Sequence, residues 1–163
     1  MIYHIRKFLR KRPNSSYQDK LIKKLNNEHK LLLEVAINVE LAAKNGNIDM
    51  LRKLLDKFEK ELELHLLYED TNLYEYLVWK YNFFEDVKIE IVKKQKEMEN
   101  IAKVAKDFID FYKTHDDLDK FLEDFENIKE VLIKRIEFEE TTLYDIYNNS
   151  YKWEDVLKRL RAS

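Results

Sequence analysis

Cysteine is absent from this 163-residue chain, which removes disulfides, thiol catalysis, zinc–thiolate sites and iron–sulfur clusters together. A cysteine-free chain suits a reducing compartment, so a cytoplasmic location is the expectation. Glycine and proline occur once each, at Gly46 and Pro13, too few for a sheet full of tight turns or for a glycine-rich phosphate loop. No apolar run approaches the ~20 residues of a membrane span, and the first residues lack the apolar segment and small-residue cleavage site of a signal peptide. Charge of one sign does not dominate either, since the formal net charge is −2. That value hides an asymmetry: residues 1–20 carry Arg6, Lys7, Arg10, Lys11, Arg12 and Lys20 against Asp19, a balance of +5, which leaves −7 for the rest. An acidic body argues against nucleic acid as a partner, because phosphate binding needs a basic stripe over the working surface.

What is present is helical. Apolar residues make up 45% and charged residues 38% of the chain, and their spacing follows a helical period, so the expected fold is all-α. Leu21, Ile22, Leu25, His29, Leu32, Leu33, Ala36 and Val39 form a first stripe after Ser15-Ser16 and Asp19, and Asn45-Gly46-Asn47 ends it. A second helix is expected from about Ile48 to Tyr81. A third carries Ile91, Gln95, Met98, Ala102, Ala105, Ile109 and Tyr112, and a fourth runs from about Leu118 to Tyr147. Helices of roughly 28 to 34 residues are about 42 to 50 Å long, which suits an antiparallel up-down-up-down four-helix bundle with short loops. The expected division is a basic amphipathic extension and linker over 1–16, the bundle over 17–148, and a short C-terminal helix over 149–163 that packs Trp153, Val156, Leu157 and Leu160 across one end.

Two segments read almost as copies, His65-Leu-Leu-Tyr-Glu69-Asp70-Thr-Asn-Leu73-Tyr74 and Arg135-Ile-Glu-Phe-Glu139-Glu140-Thr-Thr-Leu143-Tyr144. On a helix His65 and Glu69 lie about 40° apart and share the face of Leu51, Phe58 and Leu62. Arg135 and Glu139 share the face of Ile128, Leu132 and Leu143. Glu61 extends the second-helix column by one more step. A carboxylate or imidazole inside an apolar stripe costs several kcal/mol unless paired, so either a metal or a salt-bridge network is implied.

The order His29, then His65-x-x-x-Glu69-Asp-x-x-Leu-Tyr, then Glu139-Glu-x-x-Leu-Tyr resembles the hemerythrin-like, HHE cation-binding domains over about residues 17 to 148. The resemblance implies an up-and-down four-helix bundle whose interior His and Glu residues hold a non-haem di-iron centre, with roles in binding or sensing oxygen, nitric oxide or iron. Carried over position by position, it makes His29, His65, Glu69 and Glu139 metal ligands. Two positions depart from the pattern. Arg135 stands where the family has a histidine, and the third helix shows Gln95 and Met98, leaving Gln95, Glu97, Glu99 or water as its contribution. Arginine stays protonated and has no lone pair to give. Two ferrous ions against Glu69, Glu139 and Arg135 leave +3, or +2 with Glu61 included. One divalent ion with all three glutamates sums to zero. Protonation of His29 and His65 without metal balances the same set. The resemblance makes iron, as a dinuclear or mononuclear centre, the expected cofactor.

The metal-free arrangement resembles the regulator-of-sigma-D branch of related bundles and implies a protein partner, a sigma factor, in place of iron. Catalysis is not the leading expectation: the paired Glu-x-x-His of ferritin-like oxidases occurs nowhere, and no Ser-His-Asp set stands out. In residues 1–12, Ile2, Ile5, Phe8 and Leu9 oppose the basic side. Four apolar and five basic residues give only marginal membrane affinity, so the segment reads as a frayed or docked extension, with a membrane surface or a partner helix as the alternative.

Overall fold

The computed structural model describes residues 15–162; the amphipathic extension over residues 1–12 lies outside them. Helix α1 (Ser15–Lys44) ends at a turn in which Gly46 takes a positive φ of 66°, a left-handed conformation that a side chain would strain. Asn47 caps α2 (Ile48–Glu69), its side chain accepting the backbone N–H of Met50. A π-helical turn (Asp70–Tyr74) joins α2 to α3 (Glu75–Lys80). Then come α4 (Glu85–Tyr112), α5 (Leu118–Phe138) capped by Asp117, a second π-helical turn (Glu139–Leu143), α6 (Tyr144–Asn148) and α7 (Trp153–Arg161). Among the described residues there is no strand. No helix among them is long and apolar enough to cross a membrane.

Helix α1 packs on α2 and α5, and α4 packs on the same two, so the rods α1, α2–α3, α4 and α5–α6 close an antiparallel bundle. The buried residues follow the helical period: Leu51, Leu55, Phe58, Leu62, His65 and Glu69 on α2, and Phe121, Phe125, Leu132 and Arg135 on α5. Helix α7 lies across the end of α4, burying Val156 and Leu160 there. Ion pairs brace neighbouring rods from outside, Lys129 to Glu40 and Lys113 to Glu59 at 2.7 Å each.

The interior divides in two. One apolar core packs Leu32, Val39, Leu55, Phe58, Ile109, Phe121 and Phe125; the other packs Leu21, Leu25, Leu73, Leu77, Ile91, Ile146 and Leu160. Each fully buried Leu, Ile or Phe contributes about 1.5–3 kcal/mol, so these two clusters supply the drive to fold. Between them lies a layer of charged and polar side chains. The long helices expected from the sequence are present, with one difference: the second and fourth rods are each interrupted by a π turn directly at the copied segments.

Candidate metal centre

The layer is built by α1, α2, α5 and the second π turn. His29 is 1% exposed, His65 3%, Glu69 1%, Arg135 6% and Glu139 2%. Among the described residues the only other buried side chain of the charged type is Lys94, which reaches Glu97 at 3.4 Å and lies over the Phe138 ring. Ionisable groups with so little solvent have to satisfy one another or a bound ion.

Each imidazole is held from behind. His65 Nδ1 is 3.0 Å from Glu28 Oε2, and His29 Nδ1 is 2.8 Å from Glu140 Oε1. A carboxylate only accepts, so both Nδ1 atoms donate and both Nε2 atoms turn inward. Those two Nε2 atoms are 3.2 Å apart, and His29 Nε2 is 3.2 Å from Glu139 Oε2. Two bare lone pairs at that distance repel, so a proton or a cation belongs between them. Three ligand atoms, one each from His29, His65 and Glu139, lie within 4.8 Å of one another. Two donors about 2.1 Å from one ion stand about 3.2 Å apart at an angle near 100°, so this spacing suits a shared ion. Carboxylates behind metal-binding imidazoles fix tautomer and ring orientation and raise ligand basicity.

The other groups of the layer are bound into a network. Glu139 divides its oxygens, accepting from Arg135 Nε on Oε1 at 2.5 Å while Oε2 faces His29. Arg135 also donates through Nη2 to the Tyr74 hydroxyl. The Tyr144 hydroxyl donates to Glu69 Oε1 at 3.3 Å and lies 3.3 Å from His29 Nε2. Glu69 Oε2 is buried without a hydrogen-bond partner. An orphaned buried carboxylate oxygen is what a cation in the layer would satisfy.

The electrostatics follow from these contacts. Burial alone would lower the His29 pKa, but the hydrogen bond and charge of Glu139, and then Glu140, override it and raise it. Burial works to raise Glu139, yet the His29 hydrogen bond and the Arg135 charge hold it below the usual carboxylate range. Burial, then the Glu139 charge, push Glu69 well above that range, because Arg135 and Tyr144 only partly offset them. Burial, then Glu69, raises the phenol of Tyr74, and Tyr144 is raised by burial, Glu69 and Glu139.

Of the four expected ligands, His29, His65 and Glu139 converge, while Glu69 stands beside them, linked through Tyr144. Glu61 is half-buried and lines an outer groove with Lys24, Glu28 and Tyr68. The reason is helical drift: each i, i+4 step turns the column by about 40°, and two steps from Glu69 carry Glu61 off the inner face. Gln95 is half-buried too, its amide donating to Asp70 Oδ1 at 3.1 Å. Met98 reaches the layer, and Glu97 pairs with Lys94.

Sequence reasoning missed Glu28, Glu140, Tyr74 and Tyr144. The signal for three of them was in the repeat, whose copies share an acidic pair (Glu69-Asp70, Glu139-Glu140) and a terminal tyrosine. In an α-helix a tyrosine five residues after the glutamate would lie about 140° away. A π turn bonds i to i+5, as Tyr144 N–H does to Glu139 O, and brings it back over the site. Thr71 and Thr141 support the wide turns by donating to Leu67 O at 2.8 Å and Glu137 O at 2.6 Å.

On the apolar side the layer meets a cavity of about 20 Å³ lined by Leu32, Phe58, Leu62, Met98, Phe125 and Leu132. That is room for about one molecule the size of water. A helical bundle with imidazoles and a carboxylate converging in its core is the architecture of a bundle-borne cation site. The family model described as the hemerythrin HHE cation binding domain matches residues 20–147, and the chain belongs to that family. Comparison with curated proteins and with solved structures gives no match.

Proposed function

We propose that this protein is a non-haem iron-binding domain that senses, binds or carries a small molecule such as oxygen or nitric oxide. His29, His65 and Glu139 are the proposed ligands, with Glu69 as a further carboxylate at the same layer. The observation that carries the reading is the pair of carboxylate-backed imidazoles whose inward Nε2 atoms face each other and Glu139. Nitrogen and oxygen donors suit ferrous iron, and bound iron supplies redox chemistry and open coordination positions toward oxygen or nitric oxide. The chain's own residues do the rest. Glu28 and Glu140 orient the imidazoles, Arg135 offsets the Glu139 charge, and the apolar wall of Leu62, Met98 and Leu132 borders a space with room for about one small molecule. A reducing cytoplasm, where ferrous iron persists, completes the proposal.

Metal content by mass spectrometry on untagged protein, before and after anaerobic ferrous loading, tests it. Stoichiometric iron that is lost in His29→Ala and His65→Ala variants is expected. A second reading, a metal-free regulatory bundle acting by contact with a protein such as a sigma factor, has its own support. Protonated His29 between Glu139 and Glu140, with Arg135 on Glu139, satisfies much of the layer without metal. Folded protein that refuses iron would establish that reading, and binding assays with sigma factors would follow.

A further inference from the structure

The copied segments divide the layer into two halves. By the repeat, His65 corresponds to Arg135, Glu69 to Glu139, Asp70 to Glu140 and Tyr74 to Tyr144. The structure extends the correspondence to the facing helices, because Glu140 bonds His29 on α1 just as Asp70 bonds Gln95 on α4. One half is then His29, His65 and Glu139 with Glu140 behind and Tyr144 beside. Its counterpart is Gln95, Arg135 and Glu69 with Asp70 behind and Tyr74 beside.

We propose that only the first half takes a metal ion and that the guanidinium of Arg135 fills the second, so the site holds one ion where the family resemblance implies a pair. The inference rests on the cation-binding reading and specifies its nuclearity. Three observations carry it. The first half offers two inward imidazole lone pairs and a carboxylate oxygen, whereas the second offers a guanidinium, which has five donors and no acceptor. The remaining second-half groups are poorer ligands: Gln95 donates its amide N–H to Asp70, which leaves only a neutral amide oxygen, and the Tyr74 hydroxyl accepts from Arg135. Glu69 and that amide oxygen then share their half with a fixed cation, against the two imidazoles and a carboxylate of the first half. Finally, a carboxylate that bridges two ions must present one oxygen to each, and Glu139 presents Oε2 to the imidazole side and Oε1 to Arg135 Nε at 2.5 Å. The bidentate role of a bridge is thus retained, with a fixed organic cation on one side. Glu69, its Oε2 unpaired, is buried in the same layer as that guanidinium.

The test counts ions. Full-length protein is loaded anaerobically with ferrous iron, and bound metal per chain is measured after desalting. One ion per chain is expected, rising to two in the Arg135→His, Gln95→His double variant, which restores an imidazole on each departing position. Two ions in the unmodified protein, or a folded double variant that stays at one, overturns the inference. No ion in folded unmodified protein overturns the cation reading beneath it, a distinguishable result. If the double variant does not fold, the unmodified protein loaded with Mn(II) decides by electron paramagnetic resonance. A magnetically isolated ion supports a single site, and an exchange-coupled pair refutes it.

Discussion

At the residue scale, Arg135 decides more than any other side chain. It is 6% exposed, touches Glu139 and Tyr74, and is the one fixed positive charge in a layer that also holds Glu69 and Glu139. Arginine suits this place because its charge does not titrate and its planar fork serves two partners at once. Burial would lower its pKa, but Tyr74 and Glu139 raise it. Replacing it by methionine keeps the volume and removes the charge, which leaves Glu139 Oε1 and the Tyr74 hydroxyl without that partner and Glu69 without an offset. Metal-free Arg135→Met is expected to lose about 3–5 kcal/mol, the usual cost of orphaning a buried charge. Urea unfolding of the metal-free protein measures this, and a loss under about 1 kcal/mol would show that the layer does not depend on the guanidinium.

At the scale of elements, the two π turns do what a regular helix cannot. They bring a tyrosine five positions beyond a ligand-type glutamate back over the same layer, and they occur at the same place in both copies of the repeat. Within each turn a threonine, Thr71 or Thr141, donates its hydroxyl to the carbonyl four residues back, just before the turn begins. Thr141→Val keeps the shape and removes that bond, so a loss of about 0.5–1.5 kcal/mol is expected. The mutant should also lose iron affinity, since Glu139, Glu140 and Tyr144 all depend on the turn. Thermal melting and a ferrous titration together check this, and unchanged values in both would mean that the π geometry is set by core packing alone. The helices themselves were legible from the sequence because the apolar period is local, and the structure adds the caps at Asn47 and Asp117. The π turns were not, since no residue type demands them.

For the whole molecule, the layer ties stability to pH. His29 has a folded pKa above its ordinary 6.5. Its contribution to stability is therefore fully present below that value and is lost as pH rises through the raised folded one. Glu69, raised as well, acts in the same direction at lower pH, while the depressed Glu139 contributes above its unfolded value of 4.5 and is lost as pH falls through its folded one. Metal-free protein is thus expected to melt at progressively lower temperature as pH is raised from below 6.5 through the range in which His29 loses its proton. Iron-loaded protein should show the opposite slope, because ligation needs neutral imidazole and affinity grows with pH. Melting curves of both forms across that range check the pair of slopes. A metal-free Tm that rises with pH would remove His29 as the charged member of the network.

The sequence by itself determined the all-helical class, the four rods and their order, the family, and which charged residues lie on apolar faces. All of these depend on spacing along one chain. Only the tertiary structure decided which of those residues meet. His29, His65 and Glu139 converge from three elements, and Glu28 reaches across from α1 to the imidazole on α2. Glu61, on the same expected column as His65, turns out to the groove. The physical reason is that a helical period gives a direction accurate to a few tens of degrees, whereas ligation and hydrogen bonding depend on tenths of an ångström set by how neighbouring helices are rotated and where a π turn shifts their register.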